Sequence, residues 1–188
     1  MARTKEFNQE KVLEIAINVF GEHGYAGTST GMLTGAMGIG RQSLYDTFGD
    51  KWQLYCTAMQ RYADKESVAH LAALQGGERA IDGIAALLGR VVDEAKSPCL
   101  GVSSISEFGG SKVELNKMHQ INGQRLHKAI AGKLAQAKEQ GDCRAEHDVD
   151  ILASFVLSSI AAIRLSARGG ASGRELSALG QLALRALA

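Results

Sequence analysis

Apolar side chains recur along this chain at the three- and four-residue intervals that place them on one side of a helix. The first such stretch predicts a helix from about residue 9 to residue 23, with Asn8 as its N-cap and Gly24 at its end. Its buried side would consist of Val12, Ile15, Ala16, Val19 and Phe20. No stretch of sequence alternates regularly between apolar and polar residues as a β-strand would, so the pattern predicts helices throughout.

Two short helices should follow, joined by the turn Gly38-Ile39-Gly40. Ser29 would cap the first, and Asp50 with Gln53 would form a capping box for a fourth helix that continues to about residue 74. Two short helices joined by a tight turn form a helix-turn-helix, whose second helix can lie in the major groove of DNA. The side chains expected to face inward are Met32, Leu33, Ala36, Met37, Leu44, Tyr45 and Phe48.

The rest of the chain predicts five more helical segments, separated by glycine pairs, a proline and a polar loop. They cover about 78–95, 99–108, 112–140, 149–168 and 175–188. The predicted fold is therefore all-α, with about nine helices. We expect a three-helix helix-turn-helix domain over residues 1–50 and a second, larger helical domain over residues 51–188.

The composition limits the class of protein. Hydrophobic residues make up 45% of the 188 residues, which is enough to bury a core, and the net charge of +1 argues against a protein that coats nucleic acid indiscriminately. The polar start has no signal core, and serines and an arginine interrupt the most apolar segment, residues 151–167. With three cysteines that lack framework spacing, these features predict a cytoplasmic protein.

The first turn of the third helix would present Arg41, Gln42 and Ser43 to the solvent. Arg and Gln are the side chains best able to pair with the edges of guanine and adenine. Thr47 would contact a phosphate or a thymine methyl group. Ser29 and the N–H groups that begin the second helix would bind another phosphate, because helix N-termini favour anions.

Residues 20–54 resemble the N-terminal domain of the tetracycline-repressor (TetR) family of bacterial transcriptional regulators. The strongest match is the segment SLYDTFGDK, residues 43–51. The matching residues are Phe20, Gly24-Tyr25, Ser29, Leu33, Gly38-Ile39, Ser43-Leu44-Tyr45, Phe48, Lys51 and Leu54. The resemblance implies a homodimer with one helix-turn-helix per subunit and a C-terminal domain that binds a small-molecule inducer and dimerises.

In that family the residues that match Tyr45 and Lys51 bind DNA phosphates, Lys51 from the start of the fourth helix. Combined with the groups described above, this gives one set of predicted DNA-binding residues. The set is Ser29, Thr30, Arg41, Gln42, Ser43, Tyr45, Thr47 and Lys51.

The sequence also departs from the family pattern. Gly40 stands where the family usually has a hydroxyl residue that contacts phosphate, and Asp46 puts a negative charge on the third helix. Residues 1–51 contain five basic and six acidic side chains, a net charge of −1. We therefore expect modest DNA affinity with a weak dependence on salt, supported by an N-terminal arm containing Arg3 and Lys5.

Residues 78–188 contain no catalytic constellation, and their histidines and acidic residues lack metal-ligand spacing, so we predict neither an enzyme nor a metal or cofactor site. The segment Cys99-Leu100-Gly101 resembles one in a branch of the family where the cysteine senses oxidants or electrophiles. Cys99 would lie near a helix N-terminus, which would lower its thiol pKa. The candidate ligand-binding residues are Tyr62, Cys99, Ser103, Glu107, Phe108, Met118, Asn122 and Arg125.

The last two predicted helices are the best candidates for a dimer interface, because small and apolar residues share a stripe along them. The candidate interface residues are Phe155, Ser158, Ser159, Ala162, Leu165, Leu176, Leu179 and Leu182. Two helices from each subunit would form a four-helix bundle. Such a dimer would set its recognition helices about 34–36 Å apart, or a multiple of that distance, on a palindromic operator.

The sequence therefore predicts a dimeric transcriptional regulator, a repressor that a small-molecule inducer releases from double-stranded operator DNA. Three alternatives stay open at this point. One is a repressor that senses oxidants or electrophiles through Cys99. Another is a small helical enzyme with a vestigial helix-turn-helix. The third is a purely structural dimer.

Overall fold

Helices account for all the regular structure in the computed structural model, which describes residues 7–143 and 146–188. Over these ranges it contains nine helices and no strand. They are α1 (Gln9–Gly27), α2 (Thr30–Met37), α3 (Arg41–Phe48), α4 (Lys51–Ala73), α5 (Ala80–Asp93), α6 (Leu100–Phe108), α7 (Val113–Glu139), α8 (Val149–Arg168) and α9 (Gly173–Arg185). The all-α prediction with about nine helices is confirmed.

The chain divides into two units, each with its own hydrophobic core. The first comprises the described part of Met1–Asp64 together with Pro98–His119, and the second comprises Lys65–Ser97 and the described part of Gln120–Ala188. Helices α4 and α7 each contribute residues to both units. The predicted functional boundary between residues 50 and 51 falls at the start of α4 and remains a prediction.

The core of the first unit is formed by α1, α2, α3, the first part of α4, and α6. Its fully or almost fully buried side chains include Val12, Ala16, Phe20, Leu33, Leu44, Leu54 and Leu100. Pro98, two residues before α6, packs closely on α1, since a Cβ atom on Gly21 would lie 2.6 Å from the Cβ atom of Pro98. Glycine at position 21 is therefore required by this close packing.

Five aromatic side chains cluster within this unit. Phe20 packs edge-to-face on Tyr55 with ring centroids 5.0 Å apart, and Tyr25 packs edge-to-face on Trp52 at 5.4 Å. Phe108 lies 5.4 Å from Trp52 and 5.7 Å from Tyr25. Aromatic pairs in these geometries stabilise a core beyond the area that they bury, so the cluster holds α1, α4 and α6 together.

The core of the second unit is built around α5, whose apolar residues follow the i, i+3, i+4, i+7 spacing of a one-sided helix. Helices α7, α8 and α9 contribute the other buried side chains. The core includes Ile84, Leu87, Leu88, Val91, Ile130, Leu134, Val156, Ile163 and Leu176.

A buried ionic network joins α4, α5 and α8 within this unit. Arg90 Nη2 lies 2.9 Å from Glu66 Oε1 and 2.8 Å from Glu94 Oε2. Arg164, whose side chain is only 5% exposed, donates to the carbonyl oxygen of Glu94 at 2.6 Å and to Glu66 Oε2 at 3.3 Å. His70 Nδ1 lies 2.9 Å from Arg90 Nη1 and accepts a hydrogen bond from it, so the imidazole is neutral. Burial, reinforced by Arg90, lowers the pKa of His70 to about 4.

Three predicted inward-facing residues are instead exposed, namely Met32, Ala36 and Tyr45. Leu33 and Leu44 are fully buried next to them. Consecutive residues on a helix point about 100° apart. Because α2 and α3 each pack on one side only, burial of Leu33 turns Met32 outward, and burial of Leu44 turns Tyr45 outward. The prediction that these three face the core was wrong.

Helix α1 continues to Gly27, whereas the prediction ended it at Gly24. The helix is broken at that glycine nevertheless, because Gly24 has φ 70° and ψ 177°. This conformation is essentially restricted to glycine. The predicted stop is therefore present as a sharp kink, with one further turn beyond it.

Candidate nucleic-acid interface

Helices α2 and α3 are joined by three residues, as a helix-turn-helix requires. Ser29 Oγ accepts the N–H of Met32 at 3.1 Å and caps α2. Gly38 ends α2 in the left-handed conformation with φ 66°, which favours glycine. Gly40 is the N-cap of α3 and provides no side-chain cap. The fully buried Leu33 and Leu44 pack the two helices into the first core.

The outer face of α3 carries polar side chains. Arg41 and Gln42 are exposed, as predicted, while Ser43 and Thr47 are half-buried. Tyr45 is 43% exposed, so its ring lies outside the core and its hydroxyl group is available to a phosphate. A short polar helix face of this kind has the residue types that contact base edges and phosphates.

The residues at the other predicted phosphate contacts are placed differently from one another. Ser29 is exposed and Thr30 half-buried, both at the start of α2. Lys51 Nζ donates to the carbonyl oxygen of Thr28 at 2.5 Å and lies 4.1 Å from the centroid of the Tyr25 ring. Its ammonium group is thus engaged inside the unit, a contact that no local sequence pattern indicates.

Two acidic side chains, Asp50 and Asp46, affect their neighbours in this unit. Burial, together with the carboxylate of Asp50, raises the pKa of the Tyr25 hydroxyl. Asp46 on α3 accepts the side-chain N–H of Gln42 at 2.7 Å. The predicted arm residues Arg3 and Lys5 lie outside the described residues.

The start of α4 is fixed to the end of α3 by the predicted capping box. Asp50 Oδ1 accepts the N–H of Gln53 at 2.8 Å, and Gln53 Oε1 accepts the N–H of Asp50 at 3.1 Å. The segment that presents α3 therefore also sets the orientation of the first turn of α4, which continues without a break to Ala73. The prediction of a capping box at Asp50 and Gln53 is confirmed.

The candidate ligand-binding residues are divided between the units. Tyr62, Cys99, Ser103, Glu107, Phe108 and Met118 belong to the first unit, and Asn122 and Arg125 to the second. Within the first unit, Tyr62 Oη donates to Cys99 Sγ at 3.3 Å, and Cys99 is the N-cap residue of α6. Ser103 is buried, whereas Arg125 is exposed.

Two of these candidates also have structural roles. The carboxylate of Glu107 accepts the N–H of Tyr25 at 2.8 Å and that of Ala26 at 2.6 Å, and so binds the last turn of α1. Phe108 is part of the aromatic cluster. Both residues stabilise the packing of α6 on α1, and a ligand contact at either one remains a prediction.

A polar cluster in the first unit was missed, because its residues lack any motif. Ser104, which is 1% exposed, has its hydroxyl oxygen 3.0 Å from Nε2 of His119. Tyr55 is fully buried, and its hydroxyl has no hydrogen-bond partner within the described residues. Burial raises the pKa of Tyr55 to about 12, and burial lowers the pKa of His119.

Most of the predicted dimer residues are exposed along α8 and α9. Phe155, Leu165, Leu179 and Leu182 are 40%, 57%, 37% and 59% exposed. A concave apolar seam of about 340 Å³ is lined by Phe155, Ser159, Ala162, Ile163, Leu179, Leu182, Ala183 and Ala186. Leu176 is a correction, because it is 1% exposed and packs in the core of its own subunit, where it cannot face a partner.

By length and composition α8 could also cross a membrane, with a mean hydropathy of 1.7 over its most apolar window, of which 28% is buried. It is the one such helix in the described ranges, and a single one is weak evidence. Among the described residues, none of the His, Cys, Asp and Glu side chains gather into a group that could hold a metal ion.

The fold and the exposed face of α3 define a helix-turn-helix DNA-binding protein. Residues 12–56 match the profile described as "Bacterial regulatory proteins, tetR family". The chain is 33% identical over 165 residues to the HTH-type transcriptional regulator YezE of Bacillus subtilis (strain 168), covering 85% of each protein. The chain belongs to the TetR family, and it is a DNA-binding transcriptional regulator and not an enzyme.

Two further similarities extend over the whole chain. The HTH-type transcriptional repressor ComR of Escherichia coli (strain K12) is 25% identical over 189 residues, which cover 97% of this chain and 90% of ComR. A cysteine-substituted variant of the TetR family regulator CifR, solved with a 26-base-pair double-strand operator DNA, superposes with a TM-score of 0.85 at 26% identity, covering 100% of both chains.

Proposed function

We propose that this regulator is a cytoplasmic homodimeric repressor that a small-molecule inducer releases from a palindromic operator. The observation that carries the proposal is the exposed apolar stripe on α8 and α9 in a chain that also carries a helix-turn-helix. The exposed stripe residues Ile151, Phe155, Ser158, Ala162 and Leu165 are spaced alternately by four and three residues. This is the spacing of a helix that packs against another helix.

In a two-fold dimer, the DNA-binding faces of both subunits would contact one operator. Each subunit would place α3 in the major groove, with Arg41 and Gln42 reading base edges and Ser43, Tyr45 and Thr47 contacting phosphates or thymine methyl groups. Ser29 and Thr30 would bind a phosphate at the start of α2. The similarity to a CifR variant bound to operator DNA supports this assignment.

The ligand response would work by differential affinity. An inducer that binds the non-operator conformation more tightly shifts the equilibrium toward it, by no more than the ratio of its two affinities. Helix α4 is the natural element to move, because it begins at the capping box beside α3 and ends beyond Tyr62. The proposed inducer contacts are Tyr62, Cys99, Ser103 and Met118, which all belong to the first unit.

The dimer is tested with a matched pair of variants. Leu182→Glu places a charge in the exposed stripe, and Val113→Glu places one at a more exposed apolar site, 78% exposed, in the first unit. Sedimentation should find Leu182→Glu monomeric and Val113→Glu dimeric, and operator affinity should be lost only in the monomer. A dimeric Leu182→Glu protein would contradict the proposed interface.

The operator is tested by selecting bound fragments from random DNA. The bound sequences should contain an inverted repeat, and Arg41→Ala should lose the preference for one base in each half-site. Selected fragments without any repeat, or an Arg41→Ala protein with an unchanged preference, would contradict recognition by α3 in a symmetric dimer.

A second candidate function is sensing through a thiol. Its support is the position of Cys99 as the N-cap residue of α6, with its Sγ 3.3 Å from Tyr62 Oη. Cys99→Ser should then keep operator binding but lose release by an oxidant such as hydrogen peroxide, whereas Cys56→Ser should behave as the wild type. Release that survives Cys99→Ser would exclude this candidate.

A further inference from the structure

Gln42 and Asp46 lie one turn apart on the exposed face of α3 and are hydrogen-bonded to each other. Gln42 Nε2 donates to Asp46 Oδ1 at 2.7 Å, the short distance expected when the acceptor is a carboxylate. The four-residue interval places the two side chains on the same side of the helix. Both are exposed, so the pair belongs to the surface offered to DNA.

We propose that Asp46 is a specificity-determining positioning residue, which orients the carboxamide of Gln42 for an adenine. A carboxamide has two N–H donors and one oxygen acceptor. Asp46 is an acceptor, so it binds one N–H and fixes which end of the amide faces it. The inference rests on the proposed role of α3 as the recognition helix.

The groups that Asp46 leaves free are those that adenine needs. In a bidentate contact, adenine offers its N6 amino group as donor and N7 as acceptor. Gln42 retains Oε1 to accept from N6 and its second N–H to donate to N7. An amide rotated by 180° would direct its oxygen at the carboxylate oxygen of Asp46, which the repulsion between two acceptors disfavours.

The charge on Asp46 has a second effect that must be separated from positioning. A carboxylate on α3 repels phosphates, and it weakens binding to every DNA sequence alike. Its other oxygen could also accept directly from a cytosine amino group. The three roles differ in what they predict: positioning affects the base read by Gln42, repulsion affects all sequences equally, and direct reading affects a different base position.

The experiment compares base preference at each operator position, using fluorescence anisotropy on duplexes derived from the selected operator. Gln42→Ala identifies the position that Gln42 reads, as the one where the preference for adenine disappears. Asp46→Ala should lower that same preference about 5-fold or more, the lower limit for a bidentate contact, while it strengthens binding to unrelated DNA. Asp46→Asn should retain most of the preference, because its amide oxygen still accepts the N–H of Gln42 without the charge.

Two further variants make the test specific. Asp46→Ala combined with Gln42→Ala should show no loss of preference beyond that of Gln42→Ala alone. Glu22→Gln removes one exposed charge from α1 and should change binding to all duplexes by the same factor, with no effect on base preference.

The inference is overturned if Asp46→Ala leaves the adenine preference unchanged, or if it alters the preference only at another position. Failure of the proposed function would look different. In that case the wild type would select no recurring sequence, or Arg41→Ala and Gln42→Ala would both leave the selected sequence unaltered, and Asp46 could then have no role in reading DNA.

Discussion

Acid should destabilise this protein through a single buried histidine. His70 is 9% exposed, and its Nδ1 accepts a hydrogen bond from Arg90, so the folded protein holds the imidazole neutral. Burial first, and then the charge of Arg90, lower its pKa from 6.5 to about 4. In the unfolded chain the same histidine takes up a proton near its ordinary pKa of about 6.5.

The sign and size of the effect follow from linkage. Between about pH 6.5 and pH 4 the unfolded chain binds more protons at His70 than the folded one, so stability is lost as the pH falls through this range. The shift from 6.5 to about 4 corresponds to at most about 3.5 kcal/mol at about 1.4 kcal/mol per unit. Glu66 faces the same ring at 3.7 Å and partly opposes the shift, while Arg164 adds to it.

Glu66 itself titrates in a different range. Burial alone would raise its pKa, but the hydrogen bond and charge of Arg90, with the charge of Arg164, lower it overall. A carboxylate with a lowered pKa contributes stability that is present above its unfolded pKa and is lost only as the pH falls through the folded value. Its contribution therefore remains while that of His70 is lost.

The assay is urea unfolding of the wild type and of His70→Asn at fixed protein concentration, from pH 8 to pH 4.5. The asparagine oxygen can replace Nδ1 as the acceptor for Arg90, but it does not titrate. At pH 8 the free energy of unfolding of His70→Asn should be lower than that of the wild type, because the smaller side chain leaves a small cavity. This difference should narrow by up to about 3 kcal/mol as the pH falls to 4.5.

The control variant is His147→Asn, which replaces an exposed histidine in the segment between α7 and α8. It accounts for any general effect of exchanging a histidine for an asparagine. If the free energies of unfolding of the wild type and His70→Asn run parallel from pH 8 to pH 4.5, the reasoning about the buried imidazole is refuted.

Two other predictions concern packing and can be measured by the same unfolding assay at pH 7.5. Gly83→Ala should destabilise the protein by about 1–3 kcal/mol, because its Cβ would lie 2.3 Å from the carbonyl oxygen of Leu74. The control Gly89→Ala lies in the same helix and has nothing within 4 Å of its Cβ, so it should stabilise the protein by about 0.5–1 kcal/mol. Equal effects of the two substitutions would contradict the close approach at Gly83. Glu107→Ala should destabilise the protein by about 1–3 kcal/mol, since two backbone N–H groups at the end of α1 lose their charged acceptor. The control is the neighbouring Ser106→Ala. An equal loss of stability in that variant would contradict the role of Glu107 as the acceptor.

The features that the sequence predicted well are those with local causes. Asn8 and Ser29 were recognised as caps, and each accepts the backbone N–H three residues later. Gly38 was placed at the end of α2, where its left-handed conformation needs a glycine. Each of these depends on residues within one turn, so the order of amino acids is sufficient to predict it.

The features that it missed depend on residues far apart in the chain. Glu107 binds the end of α1 from 81 and 82 residues away, and Arg164 meets Glu66 across 98 residues. No periodicity signals such a pair, because an acidic residue on a helix has the same sequence context whether it is exposed or caps another helix. The exposure of Tyr45 was missed for a related reason, since the helix pattern alone does not say which of two adjacent residues packs inward.

The buried Arg164 also bears on the meaning of the exposed stripe on α8. This helix has an apolar outer side, but its inner side contributes Arg164 to an ionic network that includes Glu66 and Glu94. A helix of this kind is anchored by charge to the second unit on one side, and insertion into lipid would have to break that anchorage at a cost of several kcal/mol. A second protein surface would cover the outer side without disturbing the network. The heptad-like spacing of that side, with Ser158 and Ala162 allowing close approach, therefore supports a partner helix from another copy of this chain.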